Sequence, residues 1–263
     1  MKDLFSILFQ NHINYIYTIG NISENINNVI TDALFFGSHP DDVELNCGGT
    51  VLKLTAAERK VCIVDLTEGE LSSRGNLETR RIETAKASEL LGIAYRENLK
   101  IQDGNIEINP LNKEKVITVL RKYRPKIVFA PYPHDRHPDH INSGNLIREC
   151  IFYSGLVKIV TENYDSYRPE KLYFYRSAYD IPVSFVFDIS SVYERKKEVL
   201  KCFGSQFYNP GIKGPETLIS SKLFDSEIEA RARHFGFKIG AEFGEPYFSY
   251  ATIKTNEKTL FEI

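Results

Sequence analysis

Residues 33–66 read ALFFGSHPDDVELNCGGTVLKLTAAERKVCIVDL, and the fold follows from how this stretch is punctuated. Ala33 to Gly37 is a short apolar run that fits a buried strand. Thr50 to Arg59 reads as a helix, and Val61 to Leu66 is a β-branched apolar run, hence a second buried strand. The rhythm continues outward. Leu77 to Leu91 is helical and ends at Gly92, the residue type expected just past a helix C-terminus. Asn98 to Ile101 reads as a short strand. Asn112 to Tyr123 is a helix with Pro125 just beyond it, Lys126 to Ala130 is a third clear strand, and His140 to Tyr153 is helical. Near-continuous apolar strands alternating with helices predict a Rossmann-like α/β domain, its mainly parallel sheet flanked by helices on both faces.

The flanks are less regular. Leu172 to Tyr175 and Phe185 to Asp188 read as strands, and Val192 to Phe203 and Asp225 to Gly236 as helices. Asn209 to Pro215 is a loop by its turn residues. Nothing between these segments has the composition of a linker, so a single domain over residues 33–263 is expected. Residues 1–32 are rich in Asn and Ile and read as an N-terminal extension without chemistry. Their apolar stretch, Leu4 to Phe9, is too short for a secretory leader.

Composition narrows the partners. The chain has 263 residues and a formal net charge of -2, which gives no electrostatic ground for binding nucleic acid or an anionic membrane. No apolar run approaches the ~20 residues of a membrane span. Cys47, Cys62, Cys150 and Cys202 are scattered and form no C-x-x-C pair, a pattern suited to a reducing, cytoplasmic setting. A small-molecule substrate is the default expectation.

Two segments concentrate chemistry. Gly37-Ser38-His39-Pro40-Asp41-Asp42-Val43-Glu44 directly follows the first strand, and Pro133-His134-Asp135-Arg136-His137-Pro138-Asp139-His140 directly follows the strand ending at Ala130. Both therefore lie at the carboxyl edge of a parallel sheet, where ligands bind in open α/β folds. Imidazole and carboxylate suit zinc, whose catalytic sites take three protein ligands and keep one position open. His39 and Asp42, three residues apart on a turn opened by Pro40, can face one point while Asp41 points away. A further histidine from the second segment completes the set. Asp41 is placed to act as a general base, and His137 with Asp139 offers an imidazole–carboxylate pair for a developing oxyanion. Each segment alone also admits a structural reading, with Asp41 and Asp42 capping the next helix. Glu44 reads as a first-turn helix residue, and Gly48-Gly49 as close packing beneath the turn.

His39-Pro40-Asp41-Asp42 together with His137-Pro138-Asp139-His140 resembles the PIG-L/LmbE family of N-acetylglucosaminyl deacetylases. Within it, DLTEGELSSRGNLETR (65–80), RENL (96–99), YPHDR (132–136), GSQF (204–207) and ARARHFG (230–236) are similar to the bacillithiol-biosynthesis deacetylases. The resemblance runs from about Ala33 to Tyr250. It implies one zinc per chain held by His39, Asp42 and His140, and Asp41 as general base. It further implies that His137, oriented by Asp139, stabilises the tetrahedral intermediate, and that Arg80 contacts substrate. The implied substrate is N-acetylglucosaminyl-malate, and relatives of this kind are often trimers or hexamers. On its own residues Arg80 has a commoner reading, a charge on a solvated helix face beside Arg81 and Glu83. The motifs do not fix the substrate: a sugar-thiol conjugate, a chitooligosaccharide, or simple sugar binding without catalysis are the competing readings.

Overall fold

The computed structural model describes residues 29–161, 163–252 and 256. The expected N-terminal extension lies outside the described residues up to position 28. Residues 29–32 already belong to the body: Val29 and Thr31 donate backbone N–H groups to Lys122 and Tyr123, and the buried Thr31 hydroxyl donates to the Tyr123 carbonyl.

The elements run β1 (Ala33–Gly37), α1 (Asp42–Ala56), β2 (Val61–Asp65), α2 (Leu77–Leu91), β3 (Tyr95–Asn98), α3 (Pro110–Tyr123), β4 (Ile127–Pro131), α4 (Pro138–Ser154), β5 (Lys171–Tyr175), β6 (Phe185–Asp188), α5 (Tyr193–Lys201), α6 (Lys222–Phe237) and β7 (Gly244–Phe248). They form one seven-stranded sheet in the order β3-β2-β1-β4-β5-β7-β6. The first five strands of that order are mutually parallel, and β7 is antiparallel to both β5 and β6. The single-domain, mainly parallel α/β architecture is as expected.

Strand alternation builds two cores. Phe35, Ile63 and Phe129 face one side and pack under α1, α2 and α5 with Val51, Leu91 and Val199. Leu34, Phe36, Cys62, Val64, Val128 and Ala130 face the other and pack under α3 and α4 with Leu120, Leu146 and Ile147. Each fully buried side chain of this size contributes roughly 1.5–3 kcal/mol of transfer free energy, so a register slip of one residue would exchange the two cores at a large cost. Helix ends follow their sequence signals. The Asn76 side chain caps α2, which stops at Gly92 with φ 66. Asn109 caps α3, and Pro110 occupies its first turn.

Three elements differ from expectation. The helix placed at Thr50–Arg59 begins eight residues earlier, at Asp42. The Gly48-Gly49 pair disguises it, and those glycines serve close packing: a Cβ on Gly49 would stand 2.7 Å from Ile189, and one on Gly48 3.4 Å from Lys196. Ile189 is fully buried and has no room to yield. Gly49→Ala is therefore expected to destabilise. Overpacking of this kind costs typically ~1–3 kcal/mol, more than the ~1 kcal/mol that Ala gains over Gly in a helix. For a chain this long, a net loss of ~1 kcal/mol lowers the melting temperature by about 2–4 °C, and a thermal melt showing a rise would overturn the packing reading.

The third strand lies at Tyr95–Asn98 rather than Asn98–Ile101. Arg96 hides it, because its guanidinium is buried in mid-strand against the Glu44 and Asp65 carboxylates. Strand β7 had no apolar signature, being Gly-Glu-Pro-Tyr-Phe. Glu245 is nonetheless buried, accepting from the Gly49 and Thr50 backbone N–H groups and from the Lys196 ammonium at 2.7 Å. All four cysteines are free thiols. No helix among the described residues is long and apolar enough to cross a membrane.

Candidate metal centre

The chain leaves β1 to build β2 and β3 on one side, then returns to place β4 on the other flank of β1. The order reverses between β1 and β4, and in open α/β sheets ligands bind outside the carboxyl ends of the strands at such a point. The turn after β1 carries His39, Asp41 and Asp42, and the turn after β4 carries Asp135, His137, Asp139 and His140. Residues 100 positions apart, His39 and Asp139, come within 3.3 Å.

His39, Asp42 and His140 converge so that one potential ligand atom of each lies within 4.8 Å of the others. His39 Nδ1 is 3.5 Å from Asp42 Oδ2, and His140 Nε2 is 3.3 Å from Asp42 Oδ1. Ligands bonded at about 2.1 Å to a tetrahedral ion stand roughly 3.4 Å apart, so these two separations are of the size that a shared cation requires. Asp42 is locked in place by the His39 backbone N–H, which donates to Oδ2 at 2.9 Å.

Each imidazole is backed on its other nitrogen. His39 Nε2 faces Asp103 at 3.0 Å and Asp139 at 3.3 Å. His140 Nδ1 faces Asp135 at 3.2 Å and the Ser177 hydroxyl at 2.9 Å. Such partners orient metal-binding imidazoles and raise their basicity. Asp139 is itself held by the Gly104 N–H, Asp103 by the Leu71 N–H, and Asp135 by the His137 and Ala178 N–H groups.

The electrostatics fit a cation as well. Burial opposes charge on both imidazoles, yet the surrounding carboxylates win. Asp103, Asp139 and Asp42 hold the His39 pKa well above its usual value, and Asp42 and Asp135 lift that of His140 to about 9. The pocket thus draws positive charge onto its nitrogens, and a divalent ion answers the same field. His137 behaves oppositely. Burial and the neighbouring His140 and His39 lower its pKa.

The expected side-chain pairing of His137 with Asp139 is not the one formed. The Asp139 carboxylate serves His39 and Gly104 instead, while the Asp139 backbone N–H donates to His137 Nδ1 at 3.2 Å. His137 is the N-cap of α4, with Pro138 in the first turn. Capping geometry, not a carboxylate, therefore orients it. Its ring lies 4.9 Å from that of His140, at 23°.

Asp41 sits at φ 129, a backbone conformation that costs of order 1–3 kcal/mol for a residue with a side chain. Arg80 supports it there, donating through Nη1 to the Pro40 carbonyl and to Asp41 Oδ2 at 2.6 Å, and through Nη2 to the Ser72 hydroxyl. Arg80 is buried while its neighbour Arg81 is exposed, so the solvated-face reading of Arg80 is replaced by a buried clamp on Asp41. Burial raises the Asp41 carboxyl, Arg80 pulls it down and Asp42 pushes it up, leaving it at about 6. Glu44 is a first-turn residue of α1 and pairs with Arg96, away from the cluster.

The residues that sequence reasoning did not single out are Asp103, Asp135 and Ser177. Asp135 lay inside the second quoted segment, two positions before His137. Asp103, in an Asp-Gly turn after the third strand, shares the same sheet edge, and that placement was its only signal.

An open α/β sheet carrying a carboxylate-backed His/Asp/His cluster at its switch point, beside a buried Asp–Arg pair, defines the class: an α/β protein with a side-chain group that could hold a metal ion at the carboxyl edge of its sheet. The family profile described as "PIG-L: GlcNAc-PI de-N-acetylase" matches residues 34–151, which include both turns. A diacetylchitobiose deacetylase from Thermococcus kodakarensis is 29% identical over 238 residues, covering 85% of this chain and 84% of that protein. Among solved structures, the conserved protein TT1542 from Thermus thermophilus is 32% identical with a TM-score of 0.79, over 87% of this chain and 98% of that one. An N,N'-diacetylchitobiose deacetylase from Pyrococcus horikoshii, solved with an inhibitor, shares the fold at 23% identity and a TM-score of 0.72, over 94% of this chain and 93% of that one. The chain belongs to the PIG-L family of deacetylases.

Proposed function

We propose that this protein is a zinc-dependent hydrolase that removes the acetyl group from an N-acetylglucosamine conjugate. The observation that carries the reading is the convergence of His39, Asp42 and His140 on one point beside the Arg80-clamped Asp41. Zinc held by those three residues supplies electrophilic polarisation of an amide carbonyl and makes a water more acidic.

The remaining roles fall to the chain's own groups. Asp41, ionised and fixed by Arg80, takes the proton of the attacking water and returns it to the departing amine. His137 accepts from a backbone N–H at Nδ1, so its neutral ring carries the proton at Nε2, where it donates to the oxyanion of the tetrahedral intermediate. Arg80 spends both Nη1 hydrogens and one Nη2 hydrogen on Pro40, Asp41 and Ser72. Its remaining donors meet no acceptor among the described residues, which leaves part of the guanidinium fork for a carboxylate of the substrate.

For the substrate we infer N-acetylglucosaminyl-malate, on the similarity of residues 65–80 and 132–136 to bacillithiol-biosynthesis deacetylases and on the spare Arg80 donors. A second reading, a chitooligosaccharide such as diacetylchitobiose, is favoured by the Thermococcus relative. Acetate release from N-acetylglucosaminyl-malate, diacetylchitobiose and free N-acetylglucosamine, measured on zinc-loaded protein, separates them. A kcat/KM at least tenfold higher for the malate conjugate is expected. Preference for diacetylchitobiose would install the second reading, and no release from any of them would remove the hydrolase.

A pH profile tests the base. Asp41 must be ionised to accept a proton, so kcat/KM is expected to fall about tenfold per unit on the acid side. The limb should lie at or below about 6, the value to which burial raises the carboxyl, because a bound cation beside it favours the ionised form. An acid limb above about pH 7 would take Asp41 out of the role.

A further inference from the structure

Resting on the assignment of His140 as a zinc ligand, we propose that Ser177, clamped through its carbonyl by Arg176 and Arg231, is a positioning residue that sets the orientation of His140 and with it the affinity for zinc. Ser177 lies on the loop leaving β5, outside the 34–151 segment that carries the family profile. Its hydroxyl is 2.9 Å from His140 Nδ1, closer than the Asp135 carboxylate at 3.2 Å. The hydroxyl and Asp135 together bracket the nitrogen opposite the one that faces Asp42, and so fix the ring's rotation about its bond to the chain.

The loop holding that hydroxyl is itself pinned. The Ser177 carbonyl accepts from Arg176 Nη1 at 3.0 Å and from Arg231 Nη1 of α6 at 3.1 Å. The next residue, Ala178, donates its N–H to Asp135, so both partners of His140 Nδ1 are joined to one short stretch of backbone.

The clamp is electrostatically costly, which separates it from ordinary packing. Arg176 and Arg231 have side chains only 12% and 11% exposed and both face Glu227, at 3.5 and 3.9 Å, while Arg176 has a second partner in the exposed Asp180 at 2.9 Å. Among the described residues Glu227 Oε2 has no hydrogen-bond partner. Burial and the nearby Arg176 charge depress the Arg231 pKa to about 10, against the pull of Glu227. An apolar pair would fill such a space at lower cost. The two guanidiniums are the groups that can hold one carbonyl from two sides.

The test uses the full chain and zinc alone. Zinc dissociation constants are measured by chelator competition for the parent, Ser177→Ala, Ser177→Thr and Arg231→Gln, with melting of the zinc-free proteins alongside. Outer partners of a metal-bound imidazole are worth typically about 10–100-fold in affinity. Ser177→Ala is expected to weaken zinc at least tenfold with unchanged zinc-free melting, and Ser177→Thr to stay near the parent. Arg231→Gln should weaken zinc in the same direction; if it does not fold, Arg176→Gln reads the same clamp. Ser177→Ala within twofold of the parent overturns the proposal, and a clamp variant that folds and binds like the parent overturns the clamp. A parent that binds no zinc would instead overturn the metal assignment on which this inference rests.

Discussion

His140→Ala is expected to purify with well under one zinc per chain and to release no measurable acetate, where the parent is expected to hold one zinc and to be active. The imidazole is one of three candidate ligands, and its Nε2 lies 3.3 Å from the Asp42 carboxylate. Removing it leaves two ligands from one short turn. The loss in affinity should exceed the roughly 10–100-fold that an outer partner alone is worth. The substitution also strips Asp42 and Asp135 of a shared cationic neighbour in a buried site, and breaking a buried pair from one side costs about 3–5 kcal/mol. Metal analysis must therefore be read beside circular dichroism. A folded variant that keeps stoichiometric zinc and parental turnover would dissolve the proposed centre.

The second large effect is expected at Asp41, with the opposite metal outcome. Asp41→Asn keeps the shape of the side chain, and Asn, like Asp, is enriched among residues with positive φ, so the strained turn at φ 129 should survive. Asp42 and His39 are untouched, and zinc should remain at one per chain. What is lost is the proton acceptor, worth about 10²–10⁴-fold in kcat. Arg80 would then face a neutral amide instead of a carboxylate 2.6 Å away, so some of the loss will come from a loosened Arg80. The two contributions separate by KM: a vacated base lowers kcat alone, while a displaced Arg80 also raises KM for an anionic substrate. Parental activity with zinc retained would remove Asp41 from the mechanism.

These two variants divide the site into a part that holds charge and a part that moves protons. The division is built into the backbone. His39 and Asp42 are fixed by reciprocal bonds across the Pro40 turn, the His39 N–H to the Asp42 carboxylate and the Asp42 N–H to the His39 carbonyl. That closure forces Asp41, between them, out toward Arg80 on α2.

How far the sequence reached can be judged from single elements. Residues 33–37, 61–66 and 126–130 declared themselves as strands because burial on both sides demands unbroken apolar runs, and helices between them demand a parallel sheet. That alone brings the turns after β1 and β4 to one edge, so a histidine of the second turn could be expected to meet His39 and Asp42 before any distance was known; that it is His140 came from the family resemblance. The start of α1 was missed because glycine at 48 and 49 lowers local helix propensity, and only its contact with Ile189 accounts for the pair. β7 was missed because a buried Glu245 reads as surface until Lys196 and the α1 backbone are placed around it.

By itself, then, the sequence determined the layered fold and singled out six candidate residues on its two turns, since local apolar patterning and motif spacing are properties of neighbouring residues. The tertiary structure alone decided what stands behind each of them. It set Asp103 and Asp139 on His39, Asp135 and Ser177 on His140, a backbone N–H rather than a carboxylate on His137, and Arg80 buried against Asp41. Most of these contacts join segments 30 to 100 positions apart, such as His39 to Asp103 and Asp139. A hydrogen bond is specified by direction and distance in space, and leaves no periodic trace along the chain.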